Sequence, residues 1–140
     1  TAKGLGGGLP IGACMMFEKC AGVFGYGDHG STFGGNPVVC AGAINILSRI
    51  DKELLEKVRE KGEYFTARLK EIEGVEEVSG LGLMIGIKTA KPAAEIAAEC
   101  VKRGLLVLTA HSRVRLLPPL TISKDEIDFA LKILNEVIRG

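Results

Sequence analysis

Val75-Glu76-Glu77-Val78-Ser79-Gly80-Leu81-Gly82-Leu83-Met84-Ile85-Gly86-Ile87-Lys88 is the stretch on which the fold turns. Val75–Ser79 and Leu83–Lys88 read as strands around the Gly80-Leu81-Gly82 turn. On the C-terminal side, Pro92 to Arg103 predicts an Ala-rich helix with Ile96, Cys100 and Val101 inward, stopped by Gly104. Leu105–Thr109 and Val114–Leu117 are apolar, branched runs suited to two more strands. Ser123 with Glu126 makes a capping-box pattern ahead of Ile127, Leu131, Leu134 and Ile138, which mark a final helix. On the N-terminal side, Leu54, Val58, Phe65, Leu69 and Ile72 follow helical spacing, with Asp51 placed to cap and Gly74 to end the segment. Asn36 and Pro37 open another, apolar helix through Val38, Val39, Ala41, Ile44, Leu47 and Ile50. Strands alternating with helices give an α/β chain.

Composition narrows the function. The 140 residues carry 18 Lys+Arg against 17 Asp+Glu, so a net charge of +1 offers no electrostatic drive toward nucleic acid or an anionic membrane. With 46% hydrophobic residues the chain is no disordered segment. No apolar run reaches the roughly 18 residues of a membrane helix, and no basic segment followed by an apolar run marks a secretory leader. Cys14, Cys20, Cys40 and Cys100 match neither a C-x-x-C pair nor a zinc pattern, so no metal is expected. They read as buried thiols of a reducing, cytoplasmic compartment.

Eleven of the 19 glycines lie in residues 1–36, where backbone is expected to approach a ligand or another chain. Within that tract Pro10 to Phe17 is consistent with one buried strand. Ala2-Lys3-Gly4-Leu5-Gly6-Gly7-Gly8 does not fit a Walker loop, whose lysine follows its glycines, nor a dinucleotide fingerprint. Gly27-Asp28-His29-Gly30-Ser31-Thr32-Phe33-Gly34-Gly35-Asn36-Pro37 sets two hydroxyls among glycines just before a helix. Such groups either hold a phosphate or make local turn bonds. Arg113-Val114-Arg115-Leu116-Leu117-Pro118-Pro119-Leu120 puts charge inside an apolar strand. An arginine there points to solvent or, if inward, requires a carboxylate partner.

Taken in series, four segments resemble the class III, pyridoxal-phosphate-dependent aminotransferases: Ala2 to Ala13, Gly27 to Pro37, Gly80 to Ile87, and Arg115 to Leu120. The subgroup acting on acetylornithine is the most similar, with those acting on ornithine and 4-aminobutyrate near it. The resemblance implies the C-terminal part of a fold-type I PLP-dependent transferase. Residues 1–45 would be the tail of the large domain, and residues 46–140 a linking helix and small α/β domain. The chain begins at Thr1 without a Met and would cover only about a third of such an enzyme, so by itself it is expected to be inactive. By the same resemblance Lys3 matches the lysine that carries pyridoxal 5'-phosphate. Thr32 matches a cofactor-phosphate ligand reaching across a homodimer. Ser31 matches a position that contacts the substrate, and Arg115 an arginine that pairs with a substrate carboxylate or, in the resting enzyme, with a glutamate of the large domain. The implied partners are a small amino donor and a 2-oxo acid. Arg113 is expected to face solvent, and His29 and His111 to shape loops. A different class of function, a non-catalytic interaction module on the same fold, is the alternative.

Overall fold

The computed structural model describes residues 1–140, which fall into two compact units, Thr1–Lys52 and Glu53–Gly140. No helix is long and apolar enough to cross a membrane.

The second unit holds the core. Its elements run α2 (Lys52–Lys70, entering from the first unit), β1 (Val75–Leu81), β2 (Met84–Thr89), α3 (Ala93–Lys102), β3 (Leu108–Ala110), β4 (Arg113–Leu116) and α4 (Lys124–Arg139). The expected α/β character takes the form of a four-stranded sheet in the order β1-β2-β4-β3, antiparallel at every pairing. Because β4 lies between β2 and β3, the β2–α3–β3 connection is a split crossover.

Alternation along the strands decides the faces. Ile85, Ile87, Val114 and Leu116 are buried on one side against Phe65 and Leu69 of α2, Ile96 and Cys100 of α3, and Ile127, Leu131 and Leu134 of α4. Burying side chains of this size contributes about 1.5–3 kcal/mol each, so this layer dominates the unit's stability. The capping box forms as expected. Glu126 N–H donates to Ser123 Oγ at 3.2 Å, and Ser123 N–H donates to Glu126 Oε2 at 2.7 Å. The Ser123 N–H and hydroxyl, both donating to Glu126 Oε2, hold that carboxyl below the usual glutamate range.

Close approach explains one glycine. A Cβ on Gly62 would stand 2.3 Å from the carbonyl oxygen of Gly82, so α2 lies directly on the β1–β2 turn. Gly74, with φ +94°, redirects the chain into β1 after α2 has ended at Lys70.

The first unit contains α1 (Pro37–Leu47) and two short 3-10 turns, Lys3–Gly6 and Glu18–Cys20. Asn36 caps α1 as its sequence predicts, accepting from Val38 N–H at 3.0 Å and Val39 N–H at 3.2 Å. The strand expected over Pro10–Phe17 does not form. The segment is irregular, its Met15 is 90% and Phe17 81% exposed, and Ala13 N–H to Thr1 carbonyl is its pairing. Its apolarity is real, but the first unit holds no strand with which its backbone could pair. Two smaller expectations also change. Val101 is 50% exposed rather than inward, and of the four free cysteines only Cys100 is buried.

Ala43 is the one buried apolar side chain of the first unit, whereas Met15, Phe17, Val23, Phe24, Tyr26 and Phe33 are all exposed. The two units should therefore differ in hydrogen exchange. Amides of residues 1–36 in the isolated chain are expected to exchange fast, and those of β2, β4 and α4 slowly. Uniform strong protection over 1–36 in a monomer would contradict this. Gly62→Ala should lower stability by about 1–3 kcal/mol in denaturant titration, despite alanine's better helix propensity. A stabilised variant would show that the Gly62–Gly82 approach is not a constraint.

Candidate functional site

Lys3 opens the first 3-10 turn with φ +55°, in the left-handed region that side-chain-bearing residues rarely adopt. Strain of this kind, of order 1–3 kcal/mol, persists where surroundings impose it. Here Leu5 N–H donates to Ala2 carbonyl at 3.2 Å and Gly7 N–H to Gly4 carbonyl at 3.1 Å, closing the turn around the lysine. The turn packs on α1 through a missing side chain: a Cβ on Gly7, the residue that caps the turn, would meet Ile46 Cδ1 of α1 at 2.8 Å. Lys3 is exposed and takes part in none of the chain's ion pairs, which leaves an unengaged primary amine on a turn of defined shape.

Ser31 and Thr32 lie in a tight turn closed by Gly34 N–H to Ser31 carbonyl at 3.2 Å, followed by Asn36 N–H to Phe33 carbonyl at 3.2 Å. The turn bonds are made by backbone, so the hydroxyls of Ser31 and Thr32 and the N–H groups of Thr32 and Phe33 are left to solvent. That donor set suits a phosphate. Ser31 lines a groove of about 520 Å³ together with Pro10, Ile11, Gly12, Gly34 and Val39. Lys3 and Thr32 stand outside it. Upstream, Asp28 caps its own loop by accepting from Gly25 N–H at 2.6 Å, and His29 stacks edge-on to Phe24 at 6.0 Å. Both are thereby spent on loop shape.

Arg115 belongs to the second unit. It alternates with buried Val114 and Leu116, so it stands on the sheet face opposite the core, across from Gly86 of β2 and Leu108 of β3. It is half-buried, with an Nε that is buried and unpartnered. Arg113 is not the free, solvent-facing side chain its sequence suggests. It is 30% exposed and its Nη2 donates to Glu77 Oε2 of β1 at 2.7 Å. The reason is register: Arg113 and Arg115 share one face of β4, and that face also carries Glu77. The spacing of two was visible in the sequence; the β1 partner was not. His111 is exposed in the β3–β4 turn, with φ +51°.

The Arg113 guanidinium, by hydrogen bond and by charge, holds the Glu77 carboxyl below the usual glutamate range. The pair's contribution is therefore present above the ordinary glutamate value and lost as pH falls through the lowered one. An NMR titration should give Glu77 a midpoint below that of an ordinary glutamate. Arg113→Gln should move it back up. An unchanged midpoint in that variant would remove the pair as the cause.

The family model described as "Aminotransferase class-III" matches residues 1–138. An acetylornithine aminotransferase of Corynebacterium efficiens is 48% identical over 139 residues, covering 98% of this chain and 35% of its own length. An ornithine delta-aminotransferase structure from Plasmodium falciparum superposes with a TM-score of 0.80 at 31% identity, covering 99% of this chain and 38% of that one. An ornithine aminotransferase structure from Toxoplasma gondii, described with partial occupancy of PLP at its active site, has a TM-score of 0.71 at 28% identity, over 81% of this chain and 29% of that one. The chain thus spans about a third of the length of the curated relatives it matches.

Proposed function

The chain belongs to the class-III aminotransferase family, and from that premise we propose that it is the C-terminal portion of a pyridoxal-phosphate-dependent transaminase. Residues 1–45 would end its large domain and residues 46–140 form the linking helix and small domain. The transfer would run from the δ-amino group of N-acetylornithine to 2-oxoglutarate, a step of arginine biosynthesis, in the cytoplasm. The family match across residues 1–138 carries the transaminase reading, and the names of the acetylornithine aminotransferases it resembles support the choice of donor.

Lys3 is the amine that holds the cofactor. A primary amine is required because only a nitrogen of that kind can be displaced by the amino group of an incoming substrate and later return. Its Nζ would also serve as the base that takes a proton from the substrate carbon and holds it for return. Its exposed, turn-held position and glycine neighbours leave room for a planar ring. Pyridoxal phosphate, when bound, supplies an electron sink for the pair left on the substrate carbon. Thr32 donates its hydroxyl and N–H to the phosphate, and Ser31 contacts substrate. Arg115 takes a substrate carboxylate, a partner its unpaired Nε calls for.

A homodimer with its site shared across subunits fits the first unit. An apolar surface including Met15, Phe17 and Phe33 is energetically costly to leave in water, and a second copy would cover it.

The test is amino-donor preference in the enzyme of full family length carrying this sequence. N-acetylornithine should give a higher kcat/KM than ornithine or 4-aminobutyrate, with 2-oxoglutarate as acceptor. A preference for ornithine would move the assignment to the subgroup of the Plasmodium falciparum neighbour. Lys3→Ala should lower turnover by about a thousandfold or more, and normal turnover in that variant would remove Lys3 from the chemistry.

A further inference from the structure

Two buried side-chain nitrogens lack any hydrogen-bond partner, Arg113 Nη1 and Arg115 Nε. Each such donor costs about 1–3 kcal/mol if left unsatisfied. They are not scattered. Both sit on the same face of β4, two residues apart, a spacing of roughly 6.6 Å along a strand.

Gly86 brings them together. It is the cross-strand partner of Arg115, and a Cβ built on it would lie 3.3 Å from Arg113 Cδ. The stem of Arg113 therefore crosses the space above the residue that faces Arg115, on its way to Glu77. A larger residue at position 86 would fill that space. Glu77 uses Nη2 of Arg113 and leaves Nη1 open. Two guanidiniums and one carboxylate leave a net positive charge on this patch, with two unused N–H donors. Lys88, the other cation near Glu77, is engaged elsewhere, with Nζ 3.0 Å from Glu76 Oε2.

We propose that Arg113 is a second contact for the substrate carboxylate assigned to Arg115, the two guanidiniums forming one seat over Gly86. The inference rests on the Arg115 assignment above. One carboxylate offers two oxygens, enough to satisfy Nη1 of Arg113 and Nε of Arg115 at once. Glu77 acts as the positioning residue that fixes the Arg113 side chain.

The arginine Nε–Hε resonances of the 140-residue chain, titrated with 2-oxoglutarate, read the seat directly. Arg113 and Arg115 should move with one midpoint. Arg113→Gln should weaken binding reported by Arg115 by about tenfold, as for losing a hydrogen bond between charged groups. Arg113→Lys, which keeps the charge but not the planar fork, should fall between. Lys88→Gln removes an equal charge from the same face and should weaken binding by no more than about twofold. An unshifted Arg115 midpoint in Arg113→Gln, with a well-dispersed amide spectrum, would overturn the seat and leave Arg115 as a lone carboxylate contact. Equal weakening by Arg113→Gln and Lys88→Gln would overturn it in favour of a diffuse field. No response at either arginine would overturn the Arg115 assignment as well.

Discussion

The alternation Arg113-Val114-Arg115-Leu116 in β4 is the constraint on which the second unit depends. Strand side chains point to opposite faces with a period of two. The same register that buries Val114 and Leu116 in the core therefore puts both arginines on the other face. A slip of one residue would bury two charges and expose two aliphatic chains, a change of many kcal/mol. Core and arginine-bearing face are thus one decision, held by the pairing of β4 between β2 and β3.

The first unit works by a different physics. With one buried apolar side chain, it has little hydrophobic layer of its own to hold it. What shapes it is short-range: tight backbone turns around Lys3 and Ser31, the Asn36 cap on α1, and glycines that let loop and helix approach. Such turns present an amine and a set of hydroxyl and N–H donors without committing them to each other. That arrangement suits a cofactor that must be held at two ends.

Much of the second unit was legible in its sequence because its signals are local. The glycines at 80 and 82 mark a hairpin, although β1 runs on through Gly80 and Leu81 and the turn itself is Gly82-Leu83. The Ser123–Glu126 box and the 3.6-residue spacing of α4 specify their helix without reference to anything distant. The Pro10–Phe17 run failed because apolarity says that a segment wants cover, not that a strand edge will supply it. Val101 failed similarly: helical spacing identifies an apolar stripe, and Ile96 and Cys100 filled the space beneath α3 without it. Arg113 was legible in phase but not in partner, since Glu77 lies on a strand that reaches it only across β2. For the site, Lys3, Ser31, Thr32 and Arg115 came from resemblance to a family rather than from spacing.

Everything proposed for the first unit rests on Lys3 as the cofactor's amine. Its most direct test is borohydride reduction of the pyridoxal-phosphate-loaded enzyme of full family length, followed by peptide mass mapping. One phosphopyridoxyl group, on Lys3, is expected. Label spread over exposed lysines such as Lys19, Lys52 and Lys102, with Lys3 unmodified, would contradict it.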